Sequence, residues 1–297
     1  MNKAQGKRAD RRRGIARWVL SFFRLMRLNR SLMVAVICGA GAFVAGAGWK
    51  TAFWMLLAGW LLAVGGFSLD LYADRELDMK GPRARTRHNP LVNGSLPPRA
   101  GLAFSGTFIA ASLILTAWVA LPALLFWALI LAVVIALALH LFETPLARAL
   151  TLGLLQGLYL LMGGMAGRLT WGLGILSLVF FFAMFGGRGM IDIRDFPQDA
   201  ETPVRTLPKR YGVKRTALFT AVSLCAAFAL SLAAYFTGEF KPTYLWLDIA
   251  FVVIGLVCAW LFAARPTPRL ASVLTPIFMM GEGTLISVAM VLGSSHG

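Results

Sequence analysis

The chain has 297 residues, is 58% hydrophobic and carries a formal charge of +16, with a mean hydropathy of +0.72. This lies far outside the range of a soluble domain. Several apolar runs of roughly 20 residues predict an all-α, polytopic membrane protein. Loop topology and contact with anionic lipid account for the positive charge better than nucleic acid does, so the lipid bilayer is the expected partner and no nucleic acid is expected.

Taken in order, residues 1–13 are polar and basic, an arm on the membrane surface. Residues 14–30 mix Trp18, Phe22, Phe23 and Met26 with Arg17, Arg24, Arg27 and Arg30, an interfacial amphipathic pattern. Those arginines interrupt any signal-peptide core, so no cleavage is expected. Residues 1–30 thus form a basic arm and interfacial helix, and 31–297 a single transmembrane domain. Helices are expected near 31–48, 52–71, 101–119, 121–141, 147–167, 172–191, 215–236, 244–263 and 270–293, about nine spans around a central cavity, with a break at Leu121-Pro122. Cys38, Cys225 and Cys258 lie in apolar runs and read as small core residues. Stretches such as Gly39-Ala-Gly41 and Gly163-Gly-Met-Ala-Gly167 predict close helix packing.

Lys and Arg fall on alternate loops. One side holds the N-terminal arm, the 72–100 loop, Arg148, the 192–214 loop, Arg265 and Arg269; the other holds Lys50, Arg168 and Lys241. The first side is therefore expected to be cytoplasmic, with the N-terminus in and, over nine spans, the C-terminus out.

Two acidic clusters fall on that cytoplasmic side. The first carries Asp70, Asp74 and Asp78 at four-residue spacing directly after the second span, followed by a basic loop and Asn89-Pro-Leu-Val-Asn-Gly94. The second is Asp192-Ile-Arg-Asp195-Phe-Pro-Gln-Asp199, followed by Arg205-Thr-Leu-Pro208. With Glu76 and Glu201 they hold eight of the thirteen acidic residues. Like charges stacked on one helix face repel, and the C-terminal end of a helix disfavours anions, so a divalent cation with oxygen ligands is the natural compensation. The bland alternative, a solvated acidic loop, does not explain why the pattern occurs twice. Carboxylates flanked by Arg and Lys suit a diphosphate held through Mg²⁺, with Arg75, Arg87, Arg188, Arg194, Arg205 and Lys209 as candidate phosphate partners. A lipid-like diphosphate explains why such a site opens to a bilayer.

At these residues the chain resembles the UbiA superfamily of intramembrane prenyltransferases. The family's Asn-xxx-Asp-xxx-Asp motif is matched by Asp70, Asp74 and Asp78, and its second motif by Asp192, Asp195 and Asp199 with Arg205-Thr-Leu-Pro208. The resemblance implies a helical bundle around a cavity open to lipid. It implies Mg²⁺-dependent ionisation of an isoprenyl diphosphate donor and capture by a small lipophilic acceptor, an aromatic ring or lipid precursor. It assigns metal and diphosphate binding to Asp74, Asp78, Asp195 and Asp199, with Asp70 as a further metal contact and Asp192 assisting. The Arg205-Thr-Leu-Pro stretch looks closer to the quinone, chlorophyll and archaeal ether-lipid branches than to the 4-hydroxybenzoate branch. The chain departs from the pattern at three places. Asp70 replaces the usual Asn. Asn89 stands where Arg is common. Pro197 disfavours helix at Phe196, so Asp195 and Asp199 are expected on a turn or a restarting helix rather than one continuous face.

Gln156, inside the fifth span, either lines the cavity or packs as a buried amide. Glu282, mid-span, either faces the cavity or bonds a neighbouring helix. Asp248 is expected at the outer interface. A terpene cyclase of the same superfamily, and a polytopic carrier or Mg²⁺ transporter, are the alternative readings. The carrier reading is opposed by the scarcity of polar groups through the spans.

Overall fold

A computed structural model describes residues 18–80, 89–142, 144–200, 204–278 and 283–295. Arg87, Glu282 and the arm over residues 1–17 lie outside the described residues. Within them the chain is helical, as the apolar runs require when no water satisfies the backbone. Helices α1 (Trp18–Met26) and α2 (Leu28–Val44) meet at a 44° bend. They are followed by α3 (Gly48–Ala73), α4 (Arg75–Lys80), α5 (Pro98–Val119), α6 (Leu124–Ala138), α7 (Pro145–Gly164) and α8 (Trp171–Asp199). The chain ends with α9 (Leu207–Tyr211), α10 (Val213–Tyr235), α11 (Pro242–Ala264), α12 (Pro268–Pro276) and α13 (Gly283–Gly293). Among the described residues seven helices are long and apolar enough to cross a membrane, and the bent α1–α2 pair makes an eighth. The chain is a multi-pass membrane protein. The ninth expected span, 270–293, is represented by α12 and α13, with residues 279–282 between them outside the described set.

The expected break at Leu121-Pro122 is present as a short 3-10 turn. Pro at the first helical turn opens α5, α7, α11 and α12, where its missing N–H has no intrahelical partner to lose. Thr144, Thr170 and Thr267 cap α7, α8 and α12 through their side chains.

The helices close a ring in which α3 packs on α2 and α6, α6 on α7, α7 on α8, α8 on α10, α10 on α11, α11 on α13, and α13 returns to α2. Helices α2 and α7 also touch directly. Small residues make this approach possible: a Cβ on Gly163 would collide with the Cys38 carbonyl oxygen, and one on Gly41 with that of Leu160. On its other side α7 meets α8, where a Cβ on Gly157 would lie 2.8 Å from the Ser177 oxygen. These glycines serve packing.

The first turn of the bundle is not left to the lipid. Leu25 of α1 is fully buried with Leu71, Leu91 and Leu96, and the Ser68 hydroxyl donates to the Leu25 carbonyl at 3.3 Å. Asp248 departs from its expected interfacial place. It is 1% exposed inside α11, and Ser231 of α10 donates to its carboxylate at 2.8–2.9 Å. The Tyr244 hydroxyl in turn donates to the Ser231 carbonyl at 2.9 Å. A helix-start acid is thus drawn into the α10–α11 contact by partners that a linear reading does not reveal.

Two helices outrun the bilayer. At 26 and 29 residues, α3 and α8 are about 39 and 44 Å long against a hydrocarbon core of roughly 30 Å.

Candidate active site

Helix α3 runs through Asp70 and stops at Ala73, and Asp74 is its C-cap, with its N–H on the Asp70 carbonyl at 2.9 Å. After this one-residue interruption α4 resumes and carries Asp78, whose N–H reaches the Asp74 carbonyl at 2.8 Å. The four-residue step of the three carboxylates therefore survives the break. Each is met from elsewhere in the chain. The Asp70 carboxylate lies 3.2 Å from the Arg27 guanidinium, which also stands over the Phe67 ring at 5.8 Å. Asp74 lies 3.8 Å from His140 Nε2, in the turn after α6. Asp78 accepts from the Asn89 amide at 3.1 Å. Asn89 is buried, donates also to the Leu71 carbonyl at 2.9 Å and accepts the Leu91 N–H at 3.0 Å. Asn89 thus pins the loop that returns to α5 and holds Asp78. Arg75 stacks 4.8 Å over Tyr72 and reaches Glu76 at 3.5 Å.

The first cluster is short of positive charge at its centre. Burial, with Asp70 and Asp78 adding to it, pushes the Asp74 carboxyl up to about 6 against the opposing pull of Arg148 and His140. A carboxylate that resists ionisation next to two others is one that a cation would relieve.

The second cluster is built differently. Helix α8 continues unbroken through Pro197 to Asp199, contrary to the expected turn or restart. The proline stands in the last turn and removes only the N–H that would reach the Ile193 carbonyl, while Ala200 still bonds the Phe196 carbonyl at 2.9 Å. Packing of α8 against α7 and α10 outweighs the local preference at Phe196. Arg188 sits one turn before Asp192, 2.7 Å from its Oδ1. The other Asp192 oxygen accepts the Leu207 N–H at 3.0 Å, so this 2%-exposed carboxylate fixes the start of α9. Arg194 forks onto the neighbouring Asp195 at 2.9 and 3.1 Å. Asp199 is buried, Arg205 and Lys209 are exposed, and Lys209 reaches the Val204 carbonyl at 3.2 Å.

Among the described residues no group of three or more His, Cys, Asp or Glu side chains is gathered around one point as a ready metal centre. The donor chemistry nonetheless fits Mg²⁺, which takes oxygen ligands, needs one or two carboxylates per ion, and completes its shell with phosphate and water.

Below the first cluster lies a cavity of about 100 Å³ between α2, α3, α6, α7 and α8. Its lining is apolar except for Asp70, Gln156 and Tyr159. A second, small cavity of about 30 Å³, lined by Met33, Ile37, Phe180, Phe278 and others, shares Gln156 and Met184 with the first.

A model of the UbiA prenyltransferase family matches residues 32–281. The chain belongs to the UbiA prenyltransferase family. It is 29% identical over 238 residues to the digeranylgeranylglyceryl phosphate synthase of Halobacterium salinarum, covering 79% of this chain and 85% of that one. Among solved structures, that of a digeranylgeranylglyceryl phosphate synthase superposes with a TM-score of 0.74 at 19% identity, over 93% of this chain and 98% of the other. A UbiA homolog from Archaeoglobus fulgidus bound to DMAPP and Mg²⁺ superposes with a TM-score of 0.70 at 16% identity, over 90% and 99%. These superpositions show that the UbiA fold is shared across the chain.

Within this UbiA fold, Asp70, Gln156 and the apolar lining meet at one cavity, while Asp74 and Asp78 continue the first cluster beyond it. Arg188 and Arg194 are committed to their own carboxylates, and Arg75 to Tyr72 and Glu76. Sequence reasoning missed Arg27, His140, Arg148 and Tyr159. Tyr159 was within reach, since it lies three residues after Gln156 and shares its helix face. The others join the first cluster only through tertiary contacts.

Proposed function

We propose that this UbiA-family protein is an Mg²⁺-dependent prenyltransferase that moves an isoprenyl group from its diphosphate to a lipid-type acceptor, with its site on the cytoplasmic side. The observation that carries the reading is that the two longest helices, α3 and α8, each run into an acidic cluster, with Asp70 of the first lining an otherwise largely apolar cavity. Similarity to digeranylgeranylglyceryl phosphate synthases supports the lipid acceptor, and the likeness to a UbiA homolog bound to DMAPP and Mg²⁺ supports donor and metal. Mg²⁺, when bound, supplies Lewis-acid stabilisation of the departing diphosphate. Asp74, Asp78, Asp195 and Asp199 hold the ions. Arg205 and Lys209 offset remaining phosphate charge, and Asp192 with Arg188 positions the segment after α8. The bond from C1 of the donor to oxygen breaks with both electrons leaving on the diphosphate. The nucleophilic atom of the acceptor bonds to C1, and the proton it gives up leaves with the diphosphate. The apolar wall keeps water from the allylic cation.

The test uses purified chain in detergent, Mg²⁺, radiolabelled geranylgeranyl diphosphate and geranylgeranylglyceryl phosphate, beside Asp74→Ala. The expected result is a labelled, acceptor-dependent product that the variant forms at least roughly 10³-fold more slowly, the several kcal/mol a metal contributes. Diphosphate release without any acceptor would favour a cyclase. Failure to bind any isoprenyl diphosphate with Mg²⁺ would overturn the reading.

A further inference from the structure

We infer that the Gln156 carboxamide is the positioning residue for the acceptor, hydrogen-bonding a hydroxyl nucleophile in the cavity it lines together with Asp70. The inference rests on the prenyltransferase reading above and narrows its acceptor class to lipids that present a free hydroxyl.

Three observations carry it. Gln156 is 7% exposed, and its Oε1 is buried without a hydrogen-bond partner. Leaving such a group unsatisfied costs on the order of 1–3 kcal/mol, so an amide retained here signals a partner that arrives later. Gln156 also lines both cavities, and among the described residues it is the one polar side chain lining the smaller. The larger cavity sets this amide beside Asp70 in a lining that is otherwise apolar but for Tyr159, so the polar head of a lipid entering it would meet the carboxamide. Finally, Asp70 lines the same cavity as Gln156, and Asp74 and Asp78 lie beyond it toward and past the end of α3, which puts the first cluster at one end of the cavity.

The chemistry selects the ligand. A prenyl chain offers nothing to a carboxamide and would leave it unpaired. An aromatic carbon nucleophile has no polar atom at the reacting position. A hydroxyl both donates and accepts, so it satisfies the amide in either orientation of its oxygen and nitrogen. The bond to Oε1 directs an oxygen lone pair away from the amide. The amide is too weak a base to keep the proton, which leaves with the diphosphate as described above.

The experiment compares wild type with Gln156→Leu and Gln156→Met, full-length and in detergent. It measures thermal stability, Mg²⁺-dependent binding of geranylgeranyl diphosphate, and steady-state kinetics with geranylgeranylglyceryl phosphate. The expected result is unchanged or raised stability, donor affinity within about twofold, and an acceptor KM raised about tenfold, the size of one hydrogen bond, with a smaller change in kcat. An acceptor analogue lacking the free hydroxyl should bind both variants and wild type equally weakly. An unchanged acceptor KM in variants that fold and bind donor would overturn this inference while leaving the prenyltransferase reading intact. So would transfer by wild type to an aromatic carbon but not to the hydroxyl probe. Loss of donor binding in wild type would overturn both.

Discussion

The two acidic clusters look like repeats in sequence, yet they are neutralised in opposite ways. At the end of α8, arginines on the helix itself supply the counter-charge: Arg188 one turn before Asp192, and Arg194 beside Asp195. The Asp192 carboxylate is buried and committed to the Leu207 N–H. At the end of α3 the partners come from elsewhere in the chain, the Arg27 guanidinium, the His140 ring and the neutral Asn89 amide, and Asp74 is left hard to ionise. The second cluster is thus tied into the structure by its own arginines, whereas the first leaves a carboxyl whose charge its neighbours oppose. A motif match alone would rank all six aspartates together.

The largest stability contrast should therefore separate Asp192 from Asp74. Asp192→Ala leaves the part-buried Arg188 guanidinium and the buried Leu207 N–H without their carboxylate and should cost about 2 kcal/mol. Asp74→Ala relieves like-charge crowding and should leave stability unchanged or raise it. Thermal unfolding in one detergent reads both. Equal destabilisation by the two variants would erase the distinction.

A smaller effect follows from the Asp74 proton. Its carboxyl is held up to about 6 in the metal-free protein, so it is ionised above that pH and protonated below it. Mg²⁺ must displace that proton. The apparent Mg²⁺ affinity in the presence of donor should be flat above pH 6 and fall about tenfold per unit below it. Asp74→Asn should remove the inflection. Calorimetric titration of Mg²⁺ across this range measures the slope, and an inflection that persists in Asp74→Asn would assign the proton elsewhere.

Most helices were legible because a span needs a continuous apolar run, and the runs here are interrupted by Pro, Gly and charge. The acidic clusters were legible because acids are scarce elsewhere in a basic chain. Three features were not. The steric rule for the residue before a proline argued for a break at Phe196, but α8 packs on two neighbours and loses only one terminal hydrogen bond at Pro197. Asp248 read as interfacial because nothing in the string shows that Ser231 and Tyr244 fold against it. Arg27 stands 43 positions from Asp70 and looked like one more interfacial cation. Periodicity within one helix carries no information about such partners.

The Arg27–Asp70 pair gives the finest test of the comparison. Asp70 stands where the family resemblance led one to expect Asn, and Arg27 holds a left-handed backbone at φ 45° in the bend between α1 and α2. The natural explanation is that the extra negative charge and the imported arginine offset each other, leaving Asp70 occupied by Arg27 and metal binding to Asp74 and Asp78. Both side chains are about a quarter to a third exposed, at 27% and 32%, so the pair is worth no more than about 1 kcal/mol. A double-mutant cycle over Asp70→Asn and Arg27→Gln should return a coupling of that size in stability, with Mg²⁺-dependent donor binding preserved in Asp70→Asn. Zero coupling with donor binding lost in Asp70→Asn would make Asp70 a metal ligand and Arg27 incidental. Coupling with binding retained would confine the metal to the aspartates beyond the end of α3.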